Sequence, residues 1–487
     1  MKESQMTTLN ISMIGALSAK DIDIKWEQIV SKYQPLVKRL QMRIAKAVSL
    51  GKHGKVKALQ WLLTHSFAAK ILAVKRVTSN SGKRTAGIDG KIWSTSLSKI
   101  KAISKLNRKG YKASPLRRVY IPKKNGKRAL GIPTIRDRAM QALHLLALEP
   151  VAELTMEPNY YGFRPYRSTA DAIEQCFNCL SMKHHSKWIL EGDIKSCFDK
   201  INHNWLINNI SMDKQILNKW LKSGIIDRKS FYPTDMGTPQ GAICSPTLAN
   251  LTLNGMEILL KDISRKYKLN VVVYADDFII TAKSKEILQQ IVKPRIESFL
   301  HQRRLKLSQE KTSITHINQG FDFLGFNIRK YKGKLLIKPS KSSIKKFLKD
   351  VRDTIKSNKS TTALGLINLL NPKIRGWMNY YRHVVSSRIF STIDCRIFQA
   401  IWKWAKRRHP NKNTSWLKKK YFRSVMNYNW VFYAPISKQG KKSFLDLIYA
   451  RNFPITRHVK IIGKANPYDP KYVKYFMDRK KKKNLRK

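Results

Sequence analysis

The pattern of apolar and polar residues changes its period along the chain, and each change predicts a different element of structure. The clearest strand pattern runs from Val271 to Ile280, where two apolar runs rich in β-branched residues flank Asp276 and Asp277. This pattern predicts two strands joined by a tight turn that carries both aspartates. Adjacent carboxylates repel each other. A bound cation, with Mg²⁺ suited to oxygen ligands, is therefore one interpretation, and a solvated turn is the other.

A second strand pattern also ends in an acidic residue. The apolar run Trp188–Leu190 leads into Asp193, and a carboxylate at the end of a buried strand is unfavourable unless it is paired or metal-bound. If the fold brings Asp193 to the turn with Asp276 and Asp277, the three carboxylates suit two Mg²⁺ ions. One ion would activate an attacking hydroxyl, and the other would stabilise a pyrophosphate leaving group.

Two further segments predict a hairpin and a loop. The segment Arg117–Arg128 predicts a strand, an Asn-Gly turn and a second strand, with basic side chains throughout. A basic hairpin is suited to hold a triphosphate, and a hairpin whose charges only face solvent is the competing interpretation. The segment Gly237–Gly241 predicts a constrained loop that leads into a helix ending near Leu260.

Helical spacing dominates both ends of the chain. Apolar residues recur at this spacing between residues 20 and 80, and again from about residue 340, where Phe347, Val351 and Ile355 share one face. Basic residues of the first region face either solvent or phosphates. In the second region, Arg375–Arg382 interleaves Arg with aromatic residues, which suits base stacking or a bundle core with a basic rim. Both pairs of interpretations stay open.

Composition narrows the choice of partners. The 487 residues are 42% apolar, which is enough for two to four domains with cores of their own. The formal net charge of +65, from 96 basic and 31 acidic residues, predicts a polyanionic partner. Nucleic acid fits better than a membrane surface, because no apolar run approaches the length of a spanning helix. The segment Ile11–Leu17 is too short and interrupted for a signal peptide.

Cysteine use and the basic end of the chain bear on compartment and binding. Five cysteines in this length favour a reducing compartment. Cys176 and Cys179 lie in a helical pattern without a second cysteine pair, so we predict buried small side chains and no zinc site. Residues 426–487 hold 16 Lys or Arg against 3 Asp or Glu. The run Arg479–Lys483 is predicted to be disordered and available to phosphates.

In this order and spacing, the motifs resemble those of bacterial group II intron-encoded reverse transcriptases, which are also maturases. Tyr274–Asp277 matches the family's YADD box, and Asp193 with Phe198 matches its first carboxylate block. Gly237–Gly241 matches the loop beside the incoming nucleotide. The family's fingers motifs and thumb correspond to three further segments, Thr85–Gly90, Tyr161–Pro165 and Arg375–Arg382.

The resemblance covers nearly the whole chain and implies a fold. That fold is an α+β right-hand polymerase with fingers, a palm of antiparallel sheet plus helices, and a helical thumb, followed by a basic DNA-binding segment. An N-terminal extension with the first fingers motif is implied for residues 1–112, and the fingers and palm for residues 113–335. The thumb, or maturase domain X, is implied for residues 336–425, and the DNA-binding segment with its tail for residues 426–487.

The resemblance also implies roles for individual residues. Asp193, Asp276 and Asp277 would be catalytic and would bind two Mg²⁺ ions, with the Ile194 carbonyl as a further ligand. Phe198 would lie under the nucleotide sugar and exclude a 2′-hydroxyl. The dNTP would also contact Arg117, Lys123, Arg128 and Gln240. The template and primer would contact Arg164, Lys311, Leu324 and Gly325.

The implied function is RNA-directed DNA synthesis, combined with binding and splicing of intron RNA and with retrohoming. The alternatives are a related reverse transcriptase adopted for DNA repair or phage defence, and a maturase that only helps RNA to fold. The intact set of Asp193, Asp276 and Asp277 argues against the latter.

The resemblance further implies partners and a location. The partners are intron RNA, as template and splicing substrate, and a DNA target or primer, with no membrane. The chain would be cytoplasmic in a bacterium and associated with the nucleoid when on DNA, as a monomer or dimer on RNA. Because no Cys follows Cys395 and only His458 follows His409, we expect the Cys/His-rich endonuclease of many relatives to be absent.

Overall fold

The N-terminal part of the chain consists of helices and one basic hairpin. A computed structural model describes residues 19–123, 126–426, 428–438 and 441–485. The helices are α1 (Ala19–Ser49), α2 (His53–His65), α3 (Phe67–Ser79), α4 (Ser96–Ser104) and α5 (Ile135–Thr155). The predicted hairpin is confirmed as β1 (Leu116–Lys123) and β2 (Gly126–Ile132), and its Asn125 lies outside the described residues.

Helix α5 forms the centre of this part. It begins after Thr134, whose hydroxyl accepts a hydrogen bond from the Asp137 backbone N–H. Apolar side chains occupy almost every face of α5, so the helix is buried nearly all round. Helices α1, α2 and α3 pack against it and cover those faces. The predicted helical region from residue 20 to 80 is therefore confirmed as three helices around a fourth.

The middle of the chain alternates short helices and strands. These elements are α6 (Thr169–Leu180), β3 (Trp188–Asp193), α7 (Cys197–Lys200), α8 (His203–Asn209), α9 (Lys214–Leu221), β4 (Ile225–Asp227), β5 (Ser230–Tyr232), α10 (Ser245–Leu253), α11 (Met256–Leu259), α12 (Lys261–Tyr267), β6 (Asn270–Tyr274), β7 (Asp277–Ala282), α13 (Lys293–His301) and β8 (Ser313–His316). A π-helical turn, Ile287–Val292, precedes α13. The helix predicted to continue to Leu260 breaks after Leu253, because Gly255 adopts φ 113°.

The palm is an antiparallel four-stranded sheet in the order β6-β7-β3-β8. Alternate side chains of a strand point to opposite faces, and here both faces are covered. Val271, Val273 and Leu190 belong to one hydrophobic cluster together with α5, whereas Val272 and Ile189 belong to a second cluster with the C-terminal helices. Burial on both faces explains why these strands are uninterrupted apolar runs.

The C-terminal part begins with a small sheet and continues as helices. Its elements are β9 (Phe321–Phe323), β10 (Phe326–Tyr331), β11 (Lys334–Pro339), α14 (Lys341–Ser357), α15 (Ala363–Tyr381), α16 (Ser387–Arg408), α17 (Thr414–Tyr421), β12 (Phe422–Val425), β13 (Tyr428–Lys438), β14 (Lys441–Asp446) and α18 (Val473–Leu485). The helical pattern predicted from residue 340 holds as far as Tyr421. A three-stranded sheet, β12-β13-β14, follows it and was not predicted.

The predicted disorder of the tail is wrong. The run that begins at Arg479 lies in α18, and Phe476 of the same helix is buried. Arg479 pairs with the buried carboxylate of Asp171 in α6, so one charge of the basic run is used inside the protein. Cys176 and Cys179 are buried in α6, as predicted. Among the residues described, no helix has both the length and the apolar character needed to cross a bilayer.

Candidate active site

The paired aspartates lie in the turn of the palm hairpin. Tyr274 pairs with Asp277 across β6 and β7, so Ala275 and Asp276 form the two-residue turn. Ala275 adopts φ 57°, the left-handed conformation that two-residue hairpin turns use. Asp193 ends β3 directly opposite Asp277 of β7. The strand register therefore brings the three predicted aspartates to one end of the sheet.

The charges at this end of the sheet interact. Although Asp277 keeps exposed surface, partial desolvation of its carboxylate and the negative charges of Asp276 and Asp193 together raise its pKa to about 6, and Lys311 partly opposes the rise. The Nζ of Lys311 lies 2.8 Å from Oδ2 of Asp193, and this hydrogen bond raises the pKa of Lys311. Lys311 thus offsets only part of the repulsion among the three carboxylates, and a further cation would lower the energy of the site.

The donor set suits a hard divalent ion. It consists of carboxylates, and a high pKa such as that of Asp277 marks a carboxylate lacking a compensating cation. Ile194 is buried, and its backbone is fixed by a bridge to Leu307. In the part of the chain described, no three His, Cys, Asp or Glu side chains already surround one point. Asp193 is bound to Lys311 in this arrangement. The residues fit a metal in kind and position, and their side chains would turn towards it.

The aromatic residue predicted to contact the sugar follows β3 closely. Phe198 lies in the short helix α7, which begins after Ser196 at φ 51°. Its carbonyl accepts a 2.6 Å hydrogen bond from the backbone N–H of Thr238, which joins it to the Gly237–Gly241 loop. The ring is half-buried and meets the ring of Phe163 edge to face, with 6.3 Å between centroids.

A chain of polar contacts joins the basic hairpin to α7. Nε of Arg128 donates to Oε1 of Gln240 at 2.6 Å, and Nε2 of Gln240 donates to both carboxylate oxygens of Asp199 at 3.2 Å. The predicted nucleotide contacts Arg128 and Gln240 therefore lie together, and Gln240 contacts the residue that directly follows Phe198. Asp199 was not predicted as part of this group.

The other predicted residues of the hairpin lie differently. Arg117 donates from Nε and Nη2 to the carbonyl of Ala86, at 3.1 and 2.7 Å. It thereby anchors the Thr85–Gly90 loop, and its contact with a triphosphate stays a prediction. Lys123 ends β1, and its side chain lies outside the described residues.

The predicted template contact of Arg164 is wrong. Its side chain is buried and forms a two-pronged ion pair with Glu153, with both N–O distances 3.0 Å. The remaining donor, Nη1, serves the carbonyls of Glu157 and Tyr160. Because these donors are used inside the protein, Arg164 fixes the Tyr161–Pro165 turn and does not reach a template. Phe163 in the same turn is exposed, and only its place in that motif could have indicated it.

Two of the residues predicted to contact the template or primer form the turn between β9 and β10. Leu324 and Gly325 adopt φ 51° and 81°. Their carbonyls accept hydrogen bonds from the hydroxyls of Tyr380 and Tyr381 in α15, at 2.9 and 3.1 Å. The turn is therefore tied to α15 on one side, and its contact with the template or primer stays a prediction.

Family models match three successive parts of the chain. They are the N-terminal domain of reverse transcriptase at residues 23–106, reverse transcriptase (RNA-dependent DNA polymerase) at 121–328, and the group II intron maturase-specific domain at 344–422. The second match contains the palm sheet with Asp193, Asp276 and Asp277. The protein is thus an RNA-directed DNA polymerase with the right-hand fold, as predicted.

Individual relatives narrow the class. Group II intron-encoded protein LtrA of Lactococcus lactis subsp. cremoris is 31% identical over 412 residues, covering 64% of this chain and 68% of that protein. Protein YkfC of Escherichia coli K12 is 31% identical over 303 residues, covering 53% of this chain and 79% of that protein. The putative COX1/OXI3 intron 2 protein of Saccharomyces cerevisiae is 26% identical over a match that covers 53% of this chain and 37% of that protein. The chain belongs to the group II intron-encoded reverse transcriptase and maturase family, whose members bind RNA and use dNTPs with a divalent metal.

Proposed function

We propose that this protein copies intron RNA into DNA at Asp193, Asp276 and Asp277, and that it binds the same RNA during splicing. The observation that carries the proposal is the position of the three carboxylates at one end of the palm sheet. The raised pKa of Asp277 supports it, because mutual repulsion of this kind is typical of sites that hold cations. A maturase that only folds RNA has no use for such an arrangement.

The residues of the active site would have different roles in this reaction. Two Mg²⁺ ions, when bound, would activate the primer 3′-hydroxyl and neutralise charge on the triphosphate. Asp193, Asp276 and Asp277 would hold them, with the Ile194 carbonyl as a further ligand. Lys311 holds Oδ2 of Asp193, so we assign it the role of balancing charge and orienting that carboxylate.

The nucleotide would lie between the basic hairpin and α7. Arg128 and Gln240 already contact each other there, and Gln240 is fixed by Asp199. We assign the triphosphate to Arg117, Lys123 and Arg128, and the sugar to Phe198 and Gln240. The half-buried Phe198 ring would leave no space for a 2′-hydroxyl, which would explain a preference for dNTPs.

The partners and the division of the chain complete the proposal. The charge of +65 supports extended contacts with intron RNA and with a DNA target or primer. Leu324 and Gly325 would contact the template or primer. We keep the divisions at 1–112, 113–335, 336–425 and 426–487, and a location in the bacterial cytoplasm.

Primer extension on an RNA template tests the assignment of the aspartates. Asp276→Asn keeps the size of the side chain and removes one negative oxygen ligand. We expect the rate of dNTP addition to fall at least about a hundredfold, because metal ligation is worth several kcal/mol in the transition state. RNA affinity should stay unchanged, since the basic surface is intact.

Asp262→Asn serves as the matched control. Asp262 is an exposed carboxylate on α12 that pairs with Arg295 outside the site. Normal primer extension by Asp276→Asn would refute the metal assignment, and equal losses in both variants would point to a general effect on the fold.

A further inference from the structure

The position of Phe163 is not explained by the stability of the fold. Its backbone adopts φ 57°, and 53% of its surface is exposed. A left-handed conformation is strained for a bulky residue, and an exposed ring gains little from burial. Strained conformations of this kind persist where the surrounding structure holds them, and they are concentrated at functional sites.

The turn that carries Phe163 is fixed to the catalytic hairpin. The N–H of Tyr161 donates to the carbonyl of Val273 at 2.9 Å, and the carbonyl of Gly162 accepts from Nδ2 of Asn250 at 2.6 Å. A Cβ atom at Gly162 would lie 2.4 Å from the backbone nitrogen of Ala275. The two turns therefore touch through their backbones, and Phe163 cannot move independently of the hairpin that carries Asp276.

The ring of Phe163 contacts Phe198. The two rings meet edge to face at 81°, with their centroids 6.3 Å apart. Phe198 lies in a single-turn helix, α7, and is only half-buried, so its own surroundings restrict the ring incompletely. An edge-to-face pair has a defined geometry and so favours one orientation of both rings.

We propose that Phe163 is a positioning residue that holds the ring of Phe198 in the orientation that excludes ribonucleotides. The inference rests on the proposed role of Phe198 at the sugar. Phe163 does not touch the substrate in this mechanism. It transmits the rigidity of the catalytic hairpin to a ring that would otherwise turn away and admit a 2′-hydroxyl.

The test compares incorporation of dNTPs and rNTPs on an RNA template. The ratio of their kcat/KM values is measured for the unaltered protein, Phe163→Leu, Phe198→Val and the double variant. Leu keeps apolar bulk but removes the ring. We expect Phe163→Leu to lower discrimination by a factor between about two and ten, the range that one aromatic pair supports. Phe163→Tyr should restore it, and adding Phe163→Leu to Phe198→Val should change nothing further.

Tyr166→Leu is the matched control. Tyr166 lies in the same turn with φ 61° and 57% exposure, but its ring contacts Phe476 and not Phe198. Its substitution should leave discrimination unchanged. The inference is overturned if Phe163→Leu keeps full discrimination, or if its effect persists undiminished beside Phe198→Val. If Phe198→Val itself discriminates normally while polymerising dNTPs, the proposed sugar contact fails as well, and the palm aspartates remain unaffected.

Discussion

Asp277 and Asp171 are both aspartates close to the palm, and their surroundings are opposite. Asp277 faces two other carboxylates and one lysine, and its pKa is raised to about 6 by partial desolvation and by the charges of Asp276 and Asp193. Burial would likewise raise the pKa of Asp171, but hydrogen bonding and positive charge from His458 and Arg479 outweigh it and lower the pKa. The carboxylate of Asp171 contacts five groups, namely Ser168 N and Oγ, His458 Nε2, Ile461 N and Arg479 Nη2.

The difference separates a structural carboxylate from a functional one. Asp171 joins α6 to the last part of the chain, and nearby contacts reinforce the joint. Tyr468 donates to Glu149 at 3.0 Å, and Arg167 donates to the carbonyl of Gly463 at 2.8 Å. A carboxylate that is fully paired in this way stabilises the fold. Asp277 stays under-compensated, which is the state a cation-binding site requires before its ion arrives.

The largest effect on stability is expected from removing the charge of Asp171. Asp171→Asn leaves His458 and Arg479 facing a neutral group in a site where the aspartate is only 1% exposed. We expect the free energy of unfolding to fall by about 3 kcal/mol, as for other broken buried ion pairs. Urea unfolding measures this.

The exposed pair of Asp262 and Arg295 provides the comparison. Asp262→Asn should cost less than about 1 kcal/mol, because solvent screens that pair. Primer extension by folded Asp171→Asn should continue at a normal rate. If Asp171→Asn were as stable as the unaltered protein, the contacts around Asp171 would not hold the C-terminal segment in place.

Removing the charge of Asp277 is expected to raise the free energy of unfolding when no divalent ion is present, which is opposite to the effect expected at Asp171. Its pKa is raised from an ordinary value of 3.8 to about 6, so the folded protein binds more protons than the unfolded chain between these pH values. Stability should therefore decline as the pH rises through this interval and stay lower above it. Asp277→Asn removes the penalty and should stabilise the protein at pH 7 by about 1 kcal/mol, after allowance for solvent screening of this exposed side chain.

Urea unfolding in a chelator between about pH 3 and pH 8 measures that difference. The gap between Asp277→Asn and the unaltered protein should narrow as the pH falls and close below about 3.8, where Asp277 is protonated in both states. Asp171 has a lowered pKa, so its stabilising effect should persist down to acidic pH and be lost only below about 3.8. A destabilised Asp277→Asn at pH 7 without metal would contradict the repulsion described here.

The two regions also differ in how far the sequence predicts them. The aspartates of the palm could be predicted because each ends an apolar strand, and strand register alone brings such ends together. The buried position of Arg164 could not be predicted, because it depends on an ion pair with Glu153 and on carbonyls that only the folded turn presents. The tail was predicted to be disordered from its charge, yet the partner that orders Arg479 is Asp171, far away in the sequence.

The smallest effect is expected from the rest of the basic run. Lys480, Lys481 and Lys482 are exposed neighbours of Arg479 in α18, so the same helix offers both kinds of cation. Replacing the three lysines by Gln should change the free energy of unfolding by less than about 0.5 kcal/mol, as exposed substitutions usually do. Arg479→Gln should destabilise the protein measurably, because Asp171 loses a partner 2.7 Å away.

In nucleic-acid binding, the triple Lys variant should show a larger effect than Arg479→Gln, which is the reverse of their order in stability. Each phosphate contact that is lost reduces the slope of log affinity against log salt by about 0.7 to 0.9, so the triple Lys variant should lose up to roughly 2 to 3 units of slope. Arg479→Gln should leave the slope unchanged, because its charge is already paired with Asp171. Filter binding of RNA and duplex DNA between low and moderate salt measures both. If Arg479→Gln lost as much slope as each lysine does, the ion pair with Asp171 would have to open on binding. If the triple variant and the unaltered protein had equal slopes, these lysines would be excluded as phosphate contacts.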